Sequence, residues 1–140
     1  MTVLLDTNVI MDALQERKPF DVSAKKILMS SQNGDFDCLF TANATADIFY
    51  LYSKARDVKS AKRVLEFLLE NYGVISVTQE DCKNALYLPI DDFEDALVLV
   101  CAKKKNADYI VTRDVKMLNS KLSTKVISPD KFLEQRNDGF

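Results

Sequence analysis

Short, unbroken apolar runs alternate with longer helix-patterned segments along this chain, and that alternation limits the fold more than any single residue does. Val3-Leu4-Leu5, Cys38-Leu39-Phe40-Thr41, Val74-Ile75-Ser76-Val77, Tyr109-Ile110-Val111-Thr112 and Lys125-Val126-Ile127 are too short for helices and lack strict apolar–polar alternation. They read as strands covered on both faces, which is how parallel strands sit. Between them the apolar spacing is helical. Expected helices run from Val9 to Leu14 and from Val22 to Ser31, the second closed by Asn33-Gly34. Others are expected over Ala42–Ala55, over Ser60–Asn71 with Gly73 as its stop, over Gln79–Leu86 and over Phe93–Lys104. Pro129 opens a last helix, a position that suits proline. The segment Ala96-Leu97-Val98-Leu99-Val100-Cys101-Ala102 is apolar nearly all round, so its helix should be buried. The whole is an α/β pattern, a parallel sheet with helices on both faces.

At 140 residues, without a repeat, linker or low-complexity stretch, residues 1–140 should make one domain. A content of 47% apolar and 29% charged residues is that of a globular chain and excludes disorder. The three cysteines are scattered and form no CxxC pair, which argues against a disulfide framework or a zinc knuckle. Neither a basic, apolar leader nor a membrane-length apolar run is present, so a cytoplasmic protein is expected. The absence of histidine removes Ser–His and Cys–His nucleophiles, His-ligated zinc and the usual neutral-pH base. Hydrolytic chemistry here must rest on carboxylates, a lysine or a metal.

Four aspartates fit that requirement. Asp6 follows the first strand and Asp114 the strand ending at Thr112, at the sheet edge where ligands bind in such folds. Asp95 lies in the first turn of the buried helix. Each also has a plain structural role open to it, as a helix cap or dipole partner. Asp47 is harder to explain that way, because it shares a helix face with Ala44, Ile48, Leu51 and Ala55 and has no basic residue within a turn. Either it sits at the wet margin of that stripe or a cation compensates it. Gathered together, four acids would repel one another, and a hard divalent cation with all-oxygen ligands, Mg2+ or Mn2+, would relieve the repulsion. Such a site can cleave a phosphodiester without histidine. Asn8 and Thr112 can hydrogen-bond the carboxylates or a bound water, while Asp92 and Glu94 crowd the same helix start as assistants or caps.

The segments VLLDTNVIMD, TADIFYL, DFEDALVLVCAKKKNADYIVTRD and ISPDKFL, in that order and at those intervals, resemble the PIN-domain family, most closely its bacterial branch related to VapC toxins. The resemblance covers almost the whole chain. It implies a three-layer α/β/α fold with a central parallel sheet and Mg2+- or Mn2+-dependent endoribonuclease activity. It assigns Asp6, Asp95 and Asp114 as the first, third and fourth acids. Asp47 fills the second acid's place, where the family most often has glutamate, and its shorter side chain would reach a metal directly or through water. Asn8 and Thr112 fill the polar supporting places. The family includes toxins held inactive by an antitoxin protein, and many members form homodimers. The apolar surface of the Ala42–Ala55 helix fits a partner-covered face as well as it fits ordinary core packing.

A formal net charge of −2 supplies no basic field for RNA, so phosphate contacts must be local. Lys54, Arg56, Lys59, Lys62 and Arg63 cluster about one turn, and Lys103-Lys104-Lys105 ends a helix; both groups also read as solvated helix ends. Arg113, beside Asp114, is the better-placed candidate for a phosphate contact. Two other functions compete with RNA cleavage. A phosphatase of the haloacid-dehalogenase kind wants an aspartate two residues after the first one, and Asn8 stands there. A non-catalytic RNA- or protein-binding PIN-like module would keep the fold and lose turnover.

Overall fold

The computed structural model describes residues 1–120 and 125–138. In chain order the elements are β1 (Thr2–Leu5), α1 (Thr7–Leu14), α2 (Asp21–Gln32), β2 (Asp37–Thr41), α3 (Ala42–Ala55), α4 (Val58–Asn71), β3 (Gly73–Ile75), α5 (Gln79–Leu86), α6 (Phe93–Lys104), β4 (Tyr109–Val111), α7 (Val115–Leu118), β5 (Val126–Ile127) and α8 (Pro129–Asp138). All strand pairs are parallel, in the order β3-β2-β1-β4-β5. Every expected strand and helix is present.

Pleating explains why the strands read as continuous apolar runs. Val3 and Leu5 face one layer with Cys38, Phe40 and Val111, while Leu4 faces the other with Ile75 and Ile110. On the first face the sheet is covered by Val9 and Ile10 of α1, Ile27 of α2, Ile48 of α3, Leu68 of α4 and Phe132 of α8. On the second it is covered by Val98, Leu99 and Cys101 of α6 and Met117 of α7. Ala85 of α5 packs on Ala96 and Leu97 of α6. Helix α6 is therefore sandwiched, as its all-round apolarity predicted. The result is a three-layer α/β/α fold with a central parallel sheet. Each fully buried Ile or Leu in it stabilises by about 2 kcal/mol. Among the described residues, no helix is long and apolar enough to cross a membrane.

Two local expectations give way. Gly73 is not the stop of α4 but the first residue of β3; Tyr72 caps the helix. A Cβ at position 73 would collide with the Leu39 side chain on the neighbouring strand, so glycine is there to let β2 and β3 close. Residues Ser76 and Val77 lie beyond β3, which ends at Ile75.

Candidate metal centre

The strand order reverses direction between β1 and β4, so a crevice opens beyond their carboxyl ends. Asp6 stands at the end of β1, where its N–H donates to the Val111 carbonyl of β4 at 3.0 Å. It also caps α1, with Oδ1 accepting from the Thr7 N–H at 2.9 Å. Its other oxygen, Oδ2, accepts from the Thr112 hydroxyl at 2.9 Å. That same hydroxyl oxygen accepts from the Asp114 N–H at 3.0 Å, and Asp114 caps α7 through the Lys116 N–H. Thr112 is fully buried, so it ties the two strand-end acids to one fixed point.

Asp95 enters from the first turn of α6, whose cap is Asp92, accepting from the Asp95 N–H at 3.1 Å. Asp47 enters from α3. Six carboxylates, those of Asp6, Asp47, Asp92, Glu94, Asp95 and Asp114, line one cavity of about 280 Å³. Thr7, Asn8, Tyr50 and Leu51 complete its wall. Thus all four aspartates singled out in the sequence, and Asn8, meet at one place. Among the described residues, none of the four has a lysine or arginine within ion-pair distance.

The charges show the strain of that meeting. Burial, then the neighbouring Asp92, Asp114 and Asp6, push the Asp95 carboxyl up to about 7. Burial raises Asp6 as well, although the hydrogen bonds from Thr112 and Thr7 pull the other way. Glu94 is raised by burial and by Asp47, Asp92 and Asp6. A cation would lower all three. The donor set is entirely oxygen, which suits Mg2+ or Mn2+ and not a soft metal. Among the described residues, no three acidic side chains are placed close enough together to hold one ion as they stand.

Arg113, the candidate phosphate contact, is engaged within the chain. Its Nε and Nη2 donate to Asp12 Oδ2 and Oδ1 at 2.7 and 3.1 Å, and its guanidinium stacks 4.3 Å over the Phe20 ring. Lys104 is likewise engaged, with Asp81 at 2.6 Å. Lys54 lies 4.8 Å over the ring of Tyr50, a residue of the pocket wall, so it borders the site.

The sequence model of a family described as PIN domain matches residues 2–116. This chain belongs to the PIN domain family. The match spans the four aspartates that meet in the pocket of this PIN domain. A protein named Ribonuclease VapC1, from Aquifex aeolicus, is 27% identical over 143 residues, covering 96% of this chain and 95% of that one. Among solved structures, a toxin–antitoxin complex from Klebsiella pneumoniae superposes with a TM-score of 0.68 at 18% identity, over 91% of this chain and 97% of that one. The sarcin–ricin-loop-cleaving toxin VapC20 of Mycobacterium tuberculosis gives 0.69 at 14% identity, over 86% and 96%. At such identities these two likenesses establish the PIN fold alone.

Sequence reasoning missed Asp12. It is 1% exposed and held by Arg113, whereas apolar spacing places it only within the first helix. Its signal was the one noticed at Asp47, an acid among apolar helical neighbours, here Val9 and Ala13. Tyr50 and Leu51 were read as apolar helix surface, and in this PIN domain they also wall the acidic pocket.

Proposed function

We propose that this protein is an endoribonuclease that hydrolyses RNA phosphodiester bonds with Mg2+ or Mn2+ held by Asp6, Asp95 and Asp114, and by Asp47 through water. One observation carries the reading: six carboxylates converge on a single pocket where, among the described residues, none of the four aspartates has a lysine or arginine within ion-pair distance, and burial together with the neighbouring acids pushes Asp95 up to about 7. The cation, when bound, polarises the phosphodiester and lowers the pKa of a water.

The protein's own part is to hold the acids in place. Thr112 donates to Asp6 Oδ2 and accepts from the Asp114 N–H, so the two acids keep one spacing. Asp92 uses its carboxylate to cap α6, which orients the turn that carries Asp95. Asp95, pushed up to about 7 by burial and the neighbouring acids, shares its proton near neutral pH, and a bound cation would favour its ionised form. The N-termini of α1 and α6 point partial positive charge into the pocket, favouring acids there and, in time, a phosphate oxygen. Asn8 offers an amide to substrate or water. Lys54, at the rim, is available to an RNA phosphate.

Support for RNA as substrate comes from the name of the Aquifex relative, and support for a toxin held by an antitoxin comes from the toxin–antitoxin complexes that share the fold. Tyr50, Phe67 and Leu69, exposed on α3 and α4, suit a face covered by the antitoxin or by a second copy in a homodimer. The three free thiols, Cys38, Cys82 and Cys101, go with a reducing cytoplasm.

The test incubates the protein with structured and single-stranded RNAs, with and without Mg2+ or Mn2+, beside Asp6→Asn and Asp95→Asn. Metal-dependent cleavage lost in both variants supports the proposal. RNA binding without cleavage would leave a non-catalytic module, and hydrolysis of small phosphate esters alone would point to a phosphatase.

A further inference from the structure

Asp12 is buried, charged and outside the pocket, and its contacts lead into the pocket from two sides. On one side it grips Arg113 with both carboxylate oxygens, at 2.7 and 3.1 Å. Arg113 lies between Thr112 and Asp114, so its fork fixes the short segment that aligns Asp6 and Asp114. On the other side Arg17 Nη1 approaches Asp12 Oδ1 at 3.8 Å. Arg17 in turn donates through Nε and Nη2 to Gln15 Oε1 at 3.2 and 2.9 Å. Gln15 Nε2 donates to the Leu51 carbonyl at 3.3 Å, and Leu51 sits one turn beyond Asp47 on α3. Asp12 itself rides on α1, the helix that Asp6 caps.

We infer that Asp12 is the positioning residue of the acidic centre, the hub of a polar chain, Arg113–Asp12–Arg17–Gln15–Leu51, that sets the separation of Asp114, Asp6 and Asp47. The inference rests on the metal-centre reading above and assigns Arg113 to Asp12 in place of an RNA phosphate. Three features argue for a role beyond stability. The pair is bidentate, and planar forks of this kind fix orientation as well as charge. Asp12 is 1% exposed, so water cannot substitute for Arg113. The acids reach one cavity from separate elements, and the backbone that sets their spacing is what this chain holds. Displacements near 1 Å at a reacting centre cost about 100-fold in rate, so a slackened hub should be visible in turnover.

The experiment compares wild type with Asp12→Asn, Arg113→Lys and Gln15→Ala. Asp81→Asn serves as a control, because Asp81 pairs with Lys104 at the far end of α6, about 14 Å along the helix from Asp95. Each protein is measured for metal-free melting temperature, for the rise in melting temperature with Mn2+, and for kcat and KM on one RNA. Asp12→Asn and Arg113→Lys should lower kcat at least about tenfold and raise the Mn2+ concentration for half-maximal effect several-fold, with RNA KM within about twofold. Gln15→Ala keeps the buried pair and should give a smaller change in the same direction. Asp81→Asn should lose stability with its Mn2+ requirement unmoved. If Asp12→Asn does not fold, Arg113→Lys and Gln15→Ala carry the test. Folded variants with unchanged kcat and Mn2+ requirement would overturn the inference, as would a raised KM with unchanged kcat in Arg113→Lys, which would make Arg113 a substrate contact. A wild type that neither cleaves RNA nor responds to Mn2+ would defeat the metal-centre reading itself, and this inference with it.

Discussion

Replacing Asp95 with asparagine should stabilise the metal-free protein at alkaline pH while removing its response to metal. In the folded chain Asp95 is pushed from its ordinary 3.8 up to about 7, first by burial and then by Asp92, Asp114 and Asp6. Between those values the folded state holds a proton that the unfolded chain has released. Stability of the wild type therefore falls as pH rises through that window, and the full cost is present above pH 7. At 1.36 kcal/mol per pH unit the interval corresponds to about 4 kcal/mol. The pocket opens to water, which screens the repulsion, and about 2 kcal/mol should remain. Asparagine has nothing to ionise. At pH 8, without metal, Asp95→Asn should melt about 6 °C above wild type for a chain of this size, and the advantage should be gone near pH 4. Saturating Mn2+ should invert the order, since ligand at 100 times its Kd stabilises by about 2.7 kcal/mol and only the wild type binds well. Calorimetric scans at the two pH values, with EDTA or Mn2+, read all of this. A variant less stable than wild type at pH 8 in EDTA, or a difference independent of pH, would mean that the ionised Asp95 does not destabilise the metal-free fold.

Asp6→Asn and Asp114→Asn should each reduce RNA cleavage at least about 100-fold, equivalent to about 2.7 kcal/mol of transition-state stabilisation, in a single-turnover assay. Thr112→Val removes the hydrogen bond to Asp6 and leaves the Asp114 N–H without its acceptor, so denaturant melts should show a loss of about 2 kcal/mol, with a weaker Mn2+ response. Gly73→Ala forces the Leu39 side chain aside and should cost about 1 kcal/mol in the same melts while leaving cleavage unchanged, because β3 contributes nothing to the pocket wall.

The layered fold was legible because its strands are buried on both faces. Val3-Leu4-Leu5 and Tyr109-Ile110-Val111 alternate between two cores, so neither face needs a polar residue, and the apolar runs stand out. Helix α6 was legible for the same reason. Helix α7 was not expected, since four residues carry no period and its one local cue, Asp114 as a possible cap, does not by itself mark a helix. Gly73 misled because a glycine after a helical stripe usually ends it, whereas here the demand comes from Leu39 on another strand. The acids were visible as a set because Asp6 and Asp114 sit at strand ends and Asp47 stands on an apolar stripe. Thr112, which supports two of them, was visible too, but Asp12 was not, because the Asp12–Arg113 pair joins residues 101 apart, and no local spacing encodes such a contact.

If Asp6, Asp95 and Asp114 share a divalent cation, crystals soaked in Mn2+ will reveal it. An anomalous difference map should show a peak at the carboxyl ends of β1 and β4, with oxygens of those three aspartates about 2.1 Å away and Asp47 within reach through a water. A pocket without a peak at saturating Mn2+, or an ion bound elsewhere with these three side chains unmoved, would exclude a shared cation there.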